Sequence, residues 1–162
     1  MRALTATEIA DSFVNCTRGE VKSMTPIRGL ADVDWEVREF LGWRDPRAPA
    51  RAYLVTVRDD RPLGVELRAT TESRPARGSA LCDICHTAHP ADSVGLFVAR
   101  KAGPRGRDHN TVGTYICADL ACPLYVRKLR PVTLPQGETA PPEERARRLQ
   151  RRLDAFLDRV LA

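Results

Sequence analysis

The sequence predicts an α+β protein: a small antiparallel β and helix module, a second unit stapled through cysteines, and a C-terminal amphipathic helix. Three observations carry this prediction. "RAYLVTVRD" from residue 51 and "PLGVELRATT" from residue 62 alternate apolar and polar residues around Asp59 to Arg61, which reads as a β-hairpin. Four of the five cysteines fall in two close pairs, Cys82 with Cys85 and Cys117 with Cys122. The last stretch, "EERARRLQRRLDAFLDRVLA", lines Leu149, Leu153, Phe156, Leu157 and Val160 along one helical face and crowds arginines on the other.

In chain order, "LTATEIADSFVNCTRGE" reads as an opening helix, because Thr5 and Glu8 form a capping box and Ile9, Phe13 and Cys16 recur at helical spacing. Cys16 is therefore expected as a small core residue on the apolar stripe. "VDWEVREFLGWRDPRAP" at 33–49 reads as a short helix or turn that runs into a Pro-rich loop. The hairpin follows, and "ESRPARGS" has the composition of a connector, which places a module boundary near residue 76. "SVGLFVARK" and "TVGTYIC" read as two strands joined by the basic, Gly-rich loop "AGPRGRDHN". "ADLACPLYVRKLR" has helical character with Pro123 in its first turn, the position where a missing N–H costs nothing. The expected organisation is an α+β module over 1–76, a cysteine-stapled unit over 77–130, a Pro-rich linker over 131–142 and a basic helix over 143–162. Glu143 and Glu144 open that helix, where the helix dipole favours acids. Its expected fate is packing within the chain.

Composition narrows the function classes. With 162 residues there is room for one ordinary core, or for a core domain plus a small metal-stapled unit. A hydrophobic share of 43% with only 6% aromatic residues rests burial on Leu, Val, Ala and Ile. No apolar run is long enough to span a membrane, and the N-terminus lacks the hydrophobic stretch of a signal peptide, so the expectation is a cytoplasmic protein without a membrane partner. A net charge of +5 favours an acidic partner, either a protein face or RNA phosphate. An odd cysteine count without an export signal ranks metal binding above a disulfide framework.

The cysteine pairs have the spacing of a metal site. A C-x-x-C turn can bring two thiolates to one Zn²⁺, an ion that takes four ligands in a tetrahedron. Cys82 and Cys85 supply half of such a site, and Cys117 and Cys122, at a junction of strand and helix, supply the other half. A knuckle, then a hairpin, then a helix whose first turn completes the tetrahedron is the order of a treble-clef zinc finger. His86 stands as an alternative ligand, while His89 and His109 read as solvated loop residues. A thioredoxin-like redox pair needs its C-x-x-C at the start of a helix, but "CDICHTAHP" leads into a proline and strands. Four sulfurs fill the shell and leave no open position for catalysis, so the expected cofactor is one structural Zn²⁺. "RDHN" at 107–110 invites comparison with His-centred nucleases, yet no matching His or Asn follows in the helix. No Ser, His and acid constellation and no phosphate-cradling Gly loop is evident, and the expectation is a protein that is not an enzyme and takes no small-molecule substrate.

"FLGWRDPRAPARAYLV", "CDICHTAHPADSVGLFVARKAG", "NTVGTYICADLACPLYVR" and the opening "LTATEIADSFVNCTRGE" together resemble the treble-clef domain of the elongation-factor-G-binding proteins of the fusidic-acid-resistance type, over about residues 3–130. The resemblance implies a zinc held by Cys82, Cys85, Cys117 and Cys122, and a protein that binds elongation factor G and helps release it from the ribosome. It also implies Phe97, Lys101, Tyr115 and Tyr125 as surface or support residues of the factor-binding face. The resistance proteins carry a helical bundle ahead of this domain, whereas this sequence begins almost at once with the domain and ends in what reads as an added basic helix. Factor or ribosome binding is therefore the inherited expectation, ahead of resistance itself. Arg100, Lys101, Arg105 and Arg107 on the expected hairpin, with Arg127, Lys128 and Arg130 after it, form the basic patch that would steer an acidic partner. The other expectation is a zinc-finger RNA- or ribosome-binding protein in which those residues contact rRNA.

Overall fold

The computed structural model describes residues 1–70 and 78–162. The expected boundary near residue 76 lies outside the described residues. The opening segment forms two helices instead of one, α1 (Ala6–Asp11) and α2 (Arg18–Ser23). Each starts at its own capping box, Thr5 with Glu8 and Thr17 with Glu20, so the second box restarts what the apolar spacing alone would have continued. Cys16 lies half-buried in the break between them, not on a helical stripe.

Seven strands follow: β1 (Phe40–Arg44), β2 (Arg51–Arg58), β3 (Arg61–Ala69), β4 (Ser79–Leu81), β5 (Ala88–Pro90), β6 (Val94–Arg100) and β7 (Thr111–Cys117). Five of them form an antiparallel sheet in the order β1-β2-β3-β6-β7, and β4 pairs with β5. The segment expected as a helix or turn at 33–49 holds a turn at residues 36–37 and the expected loop after residue 44, but between them Phe40–Arg44 form edge strand β1. Its residues alternate between two apolar environments, which a strand satisfies and a helix does not. The hairpin β2–β3 forms as expected, with Asp59 and Asp60 both left-handed at φ 50° and 60°, the geometry of a tight two-residue turn.

The sheet buries both faces. Phe40, Ala52, Leu54, Val65, Leu67, Phe97 and Ala99 face the larger core, while Leu41, Trp43, Tyr53 and Val55 face a second one. The second core is closed by Leu4 and Ile9 with Phe13, Met24, Ile27 and Leu30. Burial on both sides explains why β2 reads as the nearly continuous apolar run Ala52 to Val55. Asn15 ties the break between α1 and α2 to the sheet: its amide donates to the carbonyls of Glu66 (2.9 Å) and Arg100 (3.0 Å) and its oxygen accepts from Glu66 N.

Three helices complete the chain: α3 (Gly103–Arg107), α4 (Cys122–Val126) and α5 (Pro142–Leu161). The loop expected between β6 and β7 thus holds a helical turn. Helix α5 packs on its own chain as expected, with Leu149, Leu153, Phe156, Leu157 and Val160 all buried in the larger core beside the four paired cysteines. Arg58 to Asp158 (2.6 Å), Ala102 N to Val160 O (2.8 Å) and a contact of Arg105 with Ala162 O fix its C-terminal half. Among the described residues no helix is long and apolar enough to cross a membrane.

Candidate metal centre

The hairpin β4–β5 is the first knuckle. Cys82 N donates to Thr87 O (3.2 Å), His86 N donates to Cys82 O (2.9 Å), and Cys85 N points at Cys82 Sγ (3.4 Å). The turn closes because His86 adopts a left-handed φ of 54°. The second knuckle repeats the device: Leu120 N donates to Cys117 O (2.8 Å) with Leu120 at φ 57°, after which Cys122 opens α4. Pro123 occupies the first turn of that helix, as expected.

Asp83 brings the two knuckles together. Its N–H donates to Tyr115 O (2.8 Å), and its Oδ2 accepts from Tyr115 N (2.8 Å), so the first knuckle is laced to β7 just before Cys117. Asp119, in the second knuckle, accepts from Ala121 N (3.0 Å) and from the Tyr125 hydroxyl (2.7 Å). The edge strand supports the same loop from below, since a Cβ on Gly42 would stand 2.6 Å from Leu120 Cβ.

The result is a cluster of four buried sulfurs, Cys82, Cys85, Cys117 and Cys122, with all four ligand atoms within 4.8 Å of one another. Cys82 Sγ lies 3.7 Å from Cys122 Sγ, and Cys85 Sγ lies 3.6 Å from Cys117 Sγ. A tetrahedron with zinc to sulfur bonds of about 2.3 Å has sulfur to sulfur edges of about 3.8 Å. The set therefore fits one Zn²⁺. The thiols also need a cation electrostatically. Burial pushes the Cys122 thiol well above its ordinary range, whereas hydrogen bonds from Cys117, Cys122 and Cys82 hold Cys85 well below it. Four such sulfurs cannot all ionise without a positive ion among them. With zinc bound they close its shell, and the centre is structural.

The histidines divide. His86 is exposed and outside the cluster, so it does not replace a cysteine. His89, expected as a solvated loop residue, is buried, with Nε2 3.4 Å from Cys117 Sγ and its ring edge-on to Tyr125 at 4.5 Å. The strand alternation of Ala88, His89 and Pro90 turns it inward. A ring nitrogen beside a ligating sulfur is the outer-shell partner that metal sites use to orient their ligands. His89, Asp83 and Asp119 were legible only as residues inside or beside the knuckle loops. His109 is exposed, as expected.

The fold divides the expected partner-facing residues: Arg100, Lys101 and Arg107 line one cavity, and Tyr125 and Lys128 line another. Phe97 is fully buried under Arg44, whose guanidinium lies 5.5 Å above the ring, so it supports the sheet and cannot touch a partner. Arg100 is held by Glu20 (2.6 Å) and Arg127 by Glu39 (2.7 Å). Arg105 leans on the C-terminus of α5. Lys101 and Arg107 line a small cavity beside Cys16, Lys128 is exposed at the end of α4, and Tyr115 and Tyr125 are half-buried on either side of the metal centre.

Comparison with known proteins agrees with this geometry. No curated protein and no solved structure matches the chain. A family model does, and it extends well past the point where the sequence resemblance stopped, so α5 is part of the family domain instead of an addition. The match covers residues 8–160, and the chain belongs to the FBP C-terminal treble-clef zinc-finger family.

Proposed function

We propose that this protein is a non-enzymatic, cytoplasmic module that binds translational elongation factor G and promotes its release from the ribosome. The observation that carries the reading is the family match over nearly the whole chain. The physics of the centre is compatible with it: a closed four-sulfur zinc site stiffens a small surface without a large core, because the metal's binding energy becomes folding energy. The net charge of +5 supplies steering toward an acidic partner. Titration calorimetry of the zinc-loaded protein against purified elongation factor G tests it. Saturable binding at about 150 mM salt, weakening as salt rises, is the expected result, and no heat of binding at that salt removes the proposal.

A zinc-finger protein that binds rRNA is the second reading, favoured by Lys101, Arg107 and Lys128, which make no ion pair with a carboxylate among the described residues. It requires RNA affinity that falls steeply and linearly in log–log form with salt. Binding to the factor without ribosomal RNA present separates the two.

A further inference from the structure

Between the end of α4, the segment at 130–138 and the first turns of α5 lies a cavity of about 320 Å³. Three cations line it, Lys128, Arg130 and Arg145, against one carboxylate, Glu138. Arg145 is only 5% exposed, yet among the described residues its guanidinium forms no ion pair, and its one hydrogen bond runs to Thr87 Oγ1 at 3.4 Å. A buried guanidinium without a carboxylate is costly, because desolvation is not offset by a partner charge. Glu138 offsets this only in part: its carboxylate feels Arg145 from beyond ion-pair distance and is held directly by Arg148 at 3.0 Å and Ala140 N at 2.9 Å. Arg130 is shared with Asp119 at 3.2 Å, and Lys128 has no ion pair among the described residues.

We propose that this cavity is a socket for a carboxylate side chain of the partner protein, gripped by the Arg145 fork with Lys128 beside it; the proposal rests on the factor-binding reading. The guanidinium is planar and matches a carboxylate through two parallel hydrogen bonds. A protein carboxylate fits better than an RNA phosphate. The walls include Tyr125, Pro131 and Val132, which suit a side chain with an apolar stem, and a carboxylate at the tip of a side chain can reach the buried Arg145, whereas a backbone phosphodiester brings a ribose on each side.

The experiment compares wild type, Arg145→Gln, Arg145→Lys, Lys128→Gln and the exposed control Arg151→Gln, each checked for one zinc per chain, by calorimetry against elongation factor G. The expected result is a loss of about tenfold or more in affinity for R145Q, a smaller loss for R145K and K128Q, and a change within about twofold for R151Q. If R145Q fails to hold zinc, Arg145 serves the knuckle through Thr87, and K128Q then decides: factor affinity equal to wild type overturns the socket. If wild type does not bind the factor, the functional reading fails by itself, and the socket is read by titrating a short Asp- and Glu-containing peptide while following the Tyr125 and Arg145 side-chain NMR signals. Shifts that R145Q abolishes uphold the socket, and no shifts overturn it. Loss of rRNA-fragment binding in R145Q, with factor binding intact, overturns the carboxylate assignment.

Discussion

Gly42 lies in an edge strand remote in sequence from the cysteines, yet its missing side chain is part of the metal centre. A Cβ there would meet Leu120 Cβ at 2.6 Å and Leu120 O at 3.1 Å. Leu120 is fully buried and left-handed, three residues after Cys117, so it has no room to yield and its turn sets where Cys122 begins α4. Gly42→Ala is therefore expected to destabilise the protein by about 1–3 kcal/mol, the range for an added group in a well-packed core. It is also expected to speed zinc transfer to a chelator, because the strain falls on a knuckle. Thermal melting and the rate of zinc release measure the two effects, and an unchanged release rate would mean that the sheet does not brace the second knuckle. The same residue scale marks where sequence reading stops. That four cysteines share a metal was legible from spacing alone, since C-x-x-C and C-x4-C bring ligands together through local backbone geometry. That Gly42 braces Leu120, or that His89 approaches Cys117, depends on contacts between segments far apart in the chain, and no local pattern encodes them.

At the scale of elements, the hairpin, the strands β6 and β7, the short helix after Cys117 and the terminal helix were all readable, because each has a period or a cap that identifies it. Apolar spacing alone runs the opening segment together as one helix, whereas the second capping box, Thr17 with Glu20, marks in the sequence the start of a separate helix. Strand β1 was missed because both its faces are buried, so it lacks the alternation that marks a strand with one wet face. Helix α5 shows how an element can be read correctly in type and incompletely in role. Its arginines crowd one face, but its apolar face carries the larger consequence. Leu153 is fully buried in the core that also holds the four paired cysteines. Leu153→Ala is expected to cost about 2–5 kcal/mol in unfolding free energy, from lost transfer energy and the cavity left behind. Denaturant titration of the zinc-loaded protein measures it. A cost below about 1 kcal/mol would show that α5 only rests on the domain.

For the whole molecule the question is which term holds the fold, burial or metal. The two are not separate compartments here, because Cys82, Cys85, Cys117 and Cys122 sit in one continuous core with Phe40, Leu54, Phe97, Leu149 and Leu153. Structural zinc sites contribute on the order of 10–16 kcal/mol of apparent binding energy, whereas a domain of this kind is stable by about 5–15 kcal/mol in total. Removing the metal therefore takes away an amount comparable to the entire stability, and leaves four buried sulfurs that share protons in a space shaped for a cation. Chelation is expected to abolish cooperative unfolding of the whole chain and not of the zinc unit alone, since β3 pairs with β6 across Arg68 and Val98 and the sheet joins both halves. Tryptophan fluorescence, which reports packing around Trp35 and Trp43 in the second core, should shift on chelation although neither residue belongs to the core that holds the sulfurs, and return when zinc is restored. A metal-free chain that keeps that signal and a sharp thermal transition would locate the stability in the sheet and its apolar faces, and would reduce the zinc to a local staple of the two knuckles.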